Sequence, residues 1–361
     1  MGTLYATGRI VVLVPAHNEA ESIAATLHAL LGQTRPPDRI IVVPNNCTDD
    51  TAVVAAAVDG VEVLAYPGYN PHRKAGALNW AINRLLPTLG ACDRLLVTDA
   101  DSVLAPEFVA TAVRALDRGR RVGAVCASFY GDHKPGLLSL LQRNEYSRFA
   151  RQVSRKRERA QVLSGVASMF RVSTIRRVCA ERAAGRLPGR GDEFYHVGTA
   201  TEDIELTFAV RELGYRPLAP DACRATTDTM PTLSKLYEQR VRWQRGMLDS
   251  IRLYGLNPTT LPAVLRVATM YAASLTVPLY LVFLALAMYH YGTVPYDWRW
   301  TPLLAVFALE RTMTVRRDGF RSVLAALLLA PEWCYEQLRS LAYWAALWRT
   351  LRGTERTWFA T

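Results

Sequence analysis

The sequence predicts an α/β domain built on a mainly parallel sheet, followed by a C-terminal region of membrane-associated helices. Short β-branched runs alternate with helical periodicity, the pattern of βαβ units. Polar residues follow each run, as they do where a ligand crevice opens at the carboxyl ends of parallel strands. From Val267 to Tyr289 no charge occurs, a stretch long enough for a transmembrane helix of about 20 residues.

The elements follow in order. Ile10 to Val14 reads as a strand ending at Pro15, then polar Asn18-Glu19, then a helix with Ile23, Leu27, Leu30 and Leu31 on one face. Ile40 to Val43 leads into Asn45-Asn46 and a helix from Thr48. Val61 to Leu64 is a further strand. Arg94 to Val97 runs into Asp99-Ala100-Asp101, and Val122 to Ala127 is the next apolar strand. An arginine-rich helix is expected from Leu137 to about Ala160, and Gly185 to Gly191 reads as a mobile loop over a site. In the tail, Pro278 is tolerable inside a membrane helix. Thr301 to Leu309 and Val323 to Trp348 are ambiguous spans, the second interrupted by Pro331-Glu332, Glu336 and Arg339. Arg316, Arg317 and Arg321 favour a cytoplasmic loop between two crossings; Arg349, Arg352 and Arg356 then require a last stretch that lies on or re-enters the membrane.

Composition narrows the class. Of 361 residues, 50% are apolar and 21% charged, which excludes a disordered or collagen-like chain. The mean hydropathy of +0.04 hides a gradient, with the apolar excess in the last third. A net charge of +11 favours an anionic partner: nucleic acid, an acidic leaflet or a phosphorylated substrate. The six cysteines form no C-x-x-C pair and are expected to be reduced thiols. The first residues lack a basic segment followed by an apolar run, so no secretory signal is expected.

Three short segments are suited to chemistry. Two carboxylates at i and i+2 after a strand, Asp99 and Asp101, can hold a hard divalent cation; a loop or capping role is the plain alternative. Thr201-Glu202-Asp203 opens an apolar helical pattern, so its carboxylates serve either the helix N-terminus or an acceptor hydroxyl as general base. Gln239-Arg240-Val241-Arg242-Trp243 offers an amide, a guanidinium suited to phosphate and an aromatic face for a sugar ring. No G-x-G-x-x-G follows the first strand, which disfavours a dinucleotide-binding oxidoreductase.

Val14 to Glu19 (VPAHNE), Pro44 to Thr51 (PNNCTDDT), Arg73 to Asn79 (RKAGALN), Thr98 to Ser102 (TDADS), Thr201 to Asp203 (TED) and Gln239 to Trp243 (QRVRW) occur in the order found in family 2 glycosyltransferases. The chain most resembles the membrane-bound branch that includes hyaluronan, poly-N-acetylglucosamine and cellulose synthases, over about Ile10 to Trp243. The resemblance implies a GT-A catalytic domain over residues 1–255 and a membrane-associated helical region over 256–361. It implies a nucleotide-diphosphate sugar donor, expected to be a UDP-sugar, a Mg or Mn ion, and inverting transfer to a saccharide or lipid-linked acceptor, with polysaccharide synthesis at the membrane.

By position, the resemblance places Ala16, Asn18, Glu19 and Asn45 on the nucleotide and Lys74 on the base or phosphates. Asp99 is placed on the ribose or metal, and Asp101 is the metal ligand. Asp203 is the base with Glu202 beside it, while Gln239, Arg242 and Trp243 hold the diphosphate and the acceptor sugar. Leu163 to Arg171 resembles the acceptor-side loop. Where the family often has an acidic pair, this chain has Pro44-Asn45; the Asn45 amide both donates and accepts, and so suits a pyrimidine edge. The implied setting is the cell membrane, multi-pass or partly re-entrant, with the catalytic domain cytoplasmic. Export of a polymer would call on a homo-oligomer or an export partner, because the tail offers at most three apolar helices. Two alternatives remain: transfer to modified nucleic acid, against which the apolar run argues, and a catalytically silent nucleotide-sugar-binding subunit of an envelope assembly complex.

Overall fold

The computed structural model describes residues 8–293 and 298–353. The expectation about the chain start rests on residues 1–9, of which 1–7 lie outside the described residues, as does Arg356. The chain forms two compact units, Met1–Asp132 with Phe149–Thr229, and His133–Arg148 with Met230–Thr361.

The first unit is built on strands β1 (Ile10–Ala16), β2 (Arg39–Pro44), β3 (Val61–Val63), β4 (Arg94–Thr98), β5 (Val103–Leu104), β6 (Ala124–Cys126), β7 (Ser128–Gly131), β8 (Ala167–Arg171) and β9 (Arg224–Thr227). Its helices are α1 (Ile23–Leu31), α2 (Thr51–Ala56), α3 (Arg73–Leu85), α4 (Phe108–Leu116), the last turns of α5 (Leu137–Arg155), α6 (Val172–Ala183) and α7 (Glu202–Glu212). The main sheet has the order β3-β2-β1-β4-β8-β6. β1 pairs in parallel with β2 and β4, and β2 with β3, whereas β8 runs antiparallel to both β4 and β6. A small second sheet has the order β5-β9-β7.

Every residue of β1 is buried, as expected of a strand covered on both faces. Its Val12 and Val14 pack in one cluster with Ile23, Leu27 and Leu30 of α1 and Phe108 and Val109 of α4. Spacings of four and three put Ile23, Leu27 and Leu30 on one stripe of α1. Each such side chain contributes about 1.5–3 kcal/mol by leaving water. β8 was not foreseen as a strand. It lies beside β4 with Thr98 opposite Ala167, so the residues entering β8 lie against those leaving β4. Asp99 N donates to the Val166 carbonyl at 3.1 Å, and Thr98 Oγ1 donates to the same oxygen at 2.8 Å.

The second unit comprises the first turns of α5 with α8 (Leu233–Tyr254), α9 (Leu261–Tyr291), α10 (Thr301–Val315), α11 (Phe320–Leu328) and α12 (Ala330–Leu351). Leu140, Leu141, Leu236 and Tyr335 form one apolar cluster, and Val241, Ala342 and Ala346 another. Buried ions cross between the helices. Glu145 accepts from Arg240 at 2.6 Å and from the Tyr335 hydroxyl at 2.5 Å, with Arg339 at 3.3 Å. Burial works against its charge, but Arg240 and Arg339 outweigh it and hold the Glu145 carboxyl down at about 2. Glu332 pairs with Arg148 and, at 3.1 Å, with Arg311.

The tail differs from its expected layout. The stretch from Val323 to Trp348 is two helices, separated at Leu329, whose φ of 58° lies in the left-handed region. Its interrupting charges Glu332, Glu336 and Arg339 all make ion pairs within the unit. Among the described residues one helix, α9, is long and apolar enough to cross a membrane. It continues through Pro278 for 31 residues, about 46 Å at 1.5 Å per residue.

Candidate active site

The crevice at the carboxyl ends of β1, β2 and β4 gathers residues from four distant segments of the first unit. Lys74, in the first turn of α3, makes a short ion pair with Asp99, which follows β4. The same ammonium lies 3.4 Å from Glu202 Oε1 at the start of α7. Asp203 accepts from Gly165 N at 3.1 Å through Oδ2 and from Ile204 N at 2.8 Å through Oδ1. A Cβ placed on Gly165 would stand 3.1 Å from Lys74 Nζ, 3.6 Å from Asp203 Oδ2 and 3.7 Å from Asp99 Oδ2. One point therefore sees the ammonium and both carboxylates, and glycine leaves it open.

The helix-capping alternative for Thr201-Glu202-Asp203 accounts for little of this. The Thr201 side chain makes no cap hydrogen bond, and Glu202 turns to Lys74 rather than to its own helix. Burial lifts the Asp203 carboxyl to about 6; Glu202 adds to the rise, and Lys74 and two backbone N–H groups oppose it. For Lys74, burial disfavours the charge, yet Asp99 and Glu202 outweigh it and keep the amine protonated.

Asp101 lies two residues beyond Asp99 and accepts from Ser102 Oγ at 3.0 Å. Its carboxyl is pushed up to about 7, first by burial and then by Asp99 and Glu19, with Asp228 adding to the repulsion. Burial and the same aspartates raise Glu19, against a 2.5 Å bond from Ser22 Oγ. This is an all-oxygen, mutually repelling donor set, which fits a hard divalent cation. Among the described residues no three or more His, Cys, Asp or Glu groups make a metal cage by themselves. A cation here would thus take its remaining ligands from a bound phosphate or water.

The loops after β1 and β2 are stitched together by amides. Asn18 Oδ1 accepts from Thr48 N at 2.8 Å, and Glu19 N donates to Thr51 Oγ1 at 2.8 Å. Asn45 is 5% exposed; its Oδ1 accepts from Asn70 at 3.1 Å, and its Nδ2 donates to the Ala16 carbonyl at 3.4 Å. Each end of that amide therefore keeps one bonding position. Asn46 and the Asn70 backbone exchange two bonds of 2.9 Å. Asn18, Asn46 and Arg73 have φ of 57°, 51° and 51°. Asparagine tolerates the left-handed region, whereas Arg73 is held there by its surroundings, at the head of the helix that presents Lys74.

The structure thus brings Asp99, Lys74, Glu202 and Asp203 into one cluster, with Asp101 and Glu19 beside it, Ala16 at the end of β1, and Asn18 and Asn45 on the loops after β1 and β2. Gln239, Arg242 and Trp243 stand on α8 in the second unit. There Gln239 Oε1 accepts from Arg240 at 2.5 Å, and the Arg240 guanidinium stacks 4.4 Å from the Trp243 ring centroid. Sequence reasoning reached Gly165 only within the Leu163 to Arg171 segment, with no role of its own, and missed Asp228 and Tyr195. Asp228 follows β9, so the rule that polar residues after strands converge would have found it had β9 been recognised. Tyr195 lines a small cleft together with Lys74, Gly165, Glu202 and Asp203.

Poly-beta-1,6-N-acetyl-D-glucosamine synthases from Staphylococcus aureus (strain COL) and Staphylococcus epidermidis are each 24% identical to the chain, over 241 and 242 residues. Those matches cover 66% and 65% of this chain but 54% and 53% of theirs, so the chain spans about half the length of the curated relatives it matches. A mannosyltransferase from Pyrobaculum calidifontis, solved in complex with GDP-Man and Mn2+, aligns over 97% of this chain and 89% of that one, with a TM-score of 0.62 at 21% identity. That likeness shows the fold, a GT-A-like mixed α/β architecture with a mainly parallel sheet. The sequence profile described as Glycosyltransferase like family 2 matches residues 8–246, more than half of the chain, and the protein belongs to that family.

Proposed function

We propose that the protein transfers a sugar from a nucleotide-diphosphate donor, a UDP-sugar in the first instance, to a saccharide or lipid-linked acceptor with inversion at the anomeric carbon. The observation that carries this reading is the point beside Gly165 at which Lys74 Nζ, Asp99 Oδ2 and Asp203 Oδ2 converge. A leaving diphosphate needs a cation, and an attacking hydroxyl needs a base; this point has both within reach. Asp203 takes the acceptor proton as the acceptor oxygen bonds to the anomeric carbon. The bond from that carbon to the diphosphate oxygen breaks, and its electron pair leaves with the nucleoside diphosphate.

Lys74 holds the diphosphate, and Glu202 orients Lys74. Ala16, Asn18, Glu19 and Asn45 line the nucleotide. Asp101, with Asp99, would hold Mg or Mn, which when bound neutralises charge on the leaving group. Gln239, Arg242 and Trp243 are proposed as the contacts to the diphosphate and the acceptor sugar. Transfer is assigned to residues 1–255 and membrane association to 256–361, through α9. The likeness to poly-beta-1,6-N-acetyl-D-glucosamine synthases supports a saccharide acceptor; polysaccharide synthesis at a membrane, with the catalytic domain on the cytoplasmic side, is part of the same proposal.

The test is release of nucleoside diphosphate by detergent-solubilised protein against UDP-, GDP- and TDP-sugars with Mg or Mn, beside Asp203→Asn. One donor should turn over, with the variant slowed by roughly 10²- to 10⁴-fold, the range for a lost general base, while donor binding is kept. Unchanged transfer in Asp203→Asn would remove the base assignment.

A further inference from the structure

Among the loops that follow β1 and β2, one buried amide decides how another is presented. Asn70 lies between β3 and α3 and is fully buried. Its Nδ2 donates to Asn45 Oδ1 at 3.1 Å and to the Arg73 carbonyl at 2.5 Å, and its Oδ1 accepts from His72 N at 3.0 Å. Both hydrogens of the amide are thereby assigned. The oxygen faces the head of α3, where a methyl added to Gly76 would run into it. With its backbone N–H and carbonyl also bonded to the Asn46 side chain, Asn70 has a single direction.

Asn45 has no such anchor of its own. Besides the bond from Asn70, its side chain donates to the Ala16 carbonyl at 3.4 Å, beyond the roughly 2.7–3.2 Å of a usual N–H···O bond. The two ends of an amide have the same shape and opposite polarity, so turning it over costs only the bonds it makes. Turned over, the Asn45 amide would set its own N–H2 against that of Asn70. The bond from Asn70 therefore fixes which end of Asn45 is donor and which is acceptor. That direction matters at this place, because Asn45 follows β2 where the crevice opens and keeps one lone pair and one hydrogen for a ligand. Uracil presents N3–H beside O4, a donor beside an acceptor, whereas cytosine presents a bare N3 beside N4–H2, the reverse order. An amide free to turn pairs with either edge; an amide held in one direction pairs with one.

We propose that Asn70 is a positioning residue for the nucleobase: by holding the Asn45 amide in one direction it makes the site select uracil over cytosine. This rests on the reading above in which Asn45 lines the nucleotide of a UDP-sugar. Asn70 acts through Asn45, since its own polar side-chain atoms are engaged by the fold. The bonds to His72 and Arg73 suffice to anchor the loop before α3; the second N–H, aimed at Asn45, is the one that anchoring leaves unexplained.

Full-length protein in detergent would be titrated calorimetrically with UDP and with CDP, as wild type, Asn45→Ala, Asn70→Ala and the double variant. Wild type should bind UDP the more tightly. Asn70→Ala should narrow the ratio of the two dissociation constants about 3- to 10-fold, the worth of one neutral hydrogen bond. In the Asn45→Ala background the same substitution should move that ratio by less than about twofold, because the residue it acts through is gone. A merely loosened loop weakens both nucleotides alike, so equal weakening with an unchanged ratio would overturn the proposal and leave Asn70 a structural amide. A ratio that shifts equally in both backgrounds would overturn it too, since Asn70 would then act without Asn45. Wild type that binds CDP as well as UDP would overturn the selection while leaving a nucleotide site in place. Failure of wild type to bind either nucleotide would overturn the donor-site reading itself, and the proposal with it. Should Asn70→Ala fail to fold, Asn70→Asp keeps the shape and the bond from His72 N, sets an acceptor opposite Asn45, and should narrow or invert the same ratio.

Discussion

At the scale of single residues, the burial that lifts Asp203 to about 6 carries two opposite consequences. As a base Asp203 works only ionised, so kcat/KM should rise with pH through about 6 and level above it; a pH-rate profile flat from 5 to 8 would contradict the role. For stability the sign is reversed. A carboxyl raised in the fold favours the protonated form, and that contribution is full below the unfolded value and lost as pH climbs through the folded one. Asp203→Asn, which imitates the protonated form, should therefore have a higher Tm than wild type at pH 8, a smaller advantage at pH 5, and nearly the same Tm at about pH 3, below the ordinary aspartate value. Gly165→Ala makes a complementary case. Its methyl would stand 3.1 Å from Lys74 Nζ and displace that ammonium, so turnover should fall at least tenfold while Tm changes little. Lys74, Asp99, Asp101, Glu202 and Asp203 were legible as candidates because each lies in a short motif of chemically apt residues. Gly165 was legible only as part of the Leu163 to Arg171 segment, because it contributes only the absence of a side chain, and Tyr195 was not, because it lies in a stretch with no periodic or motif signal.

At the scale of elements, a buried ion pair ties α6 to the helix that carries Asp203. Arg182 and Glu205 have fully buried side chains 2.7 Å apart, and Arg182 also donates to the Pro188 and Phe194 carbonyls. The loop from Gly185 to Gly191, read from its composition as mobile, is thereby anchored: Leu187 is 5% exposed. Arg182→Met would take the buried guanidinium away from the Glu205 carboxylate in the core, at a cost of about 3–5 kcal/mol. Replacing both partners, as Arg182→Met with Glu205→Leu, should recover most of that loss, read as denaturant midpoints. If the single and double variants were equally unstable, the carbonyl contacts of Arg182 rather than the ion pair would hold the loop. Parallel strands β1, β2 and β4 were legible as β-branched runs closed by polar residues. The Ala167–Arg171 strand was not: ASMFR has no β-branched residue, and its place between β4 and β6 is decided by long-range pairing.

At the scale of the whole molecule, the question is which solvent the tail is built for. The most apolar window of α9 has a mean hydropathy of 1.9, and 11% of that window is buried. Leu279, Phe283 and Leu286 are each more than half exposed. In water such a face would be an aggregation surface, whereas a bilayer about 30 Å thick accommodates it within the helix length. The two solvents respond oppositely to a charge. Leu279 is 64% exposed, so Leu279→Lys would be harmless, even solubilising, in a water-facing helix. At mid-bilayer each such lysine costs about 2.5–3.5 kcal/mol on insertion scales. Leu279→Lys combined with Phe283→Lys should therefore shift the protein from the membrane fraction to the soluble or aggregated one, while a pair of alanines at the same positions leaves it membrane-bound. Equal fractionation of the lysine and alanine pairs would mean that α9 does not sit in lipid, and that its apolar face is covered by protein.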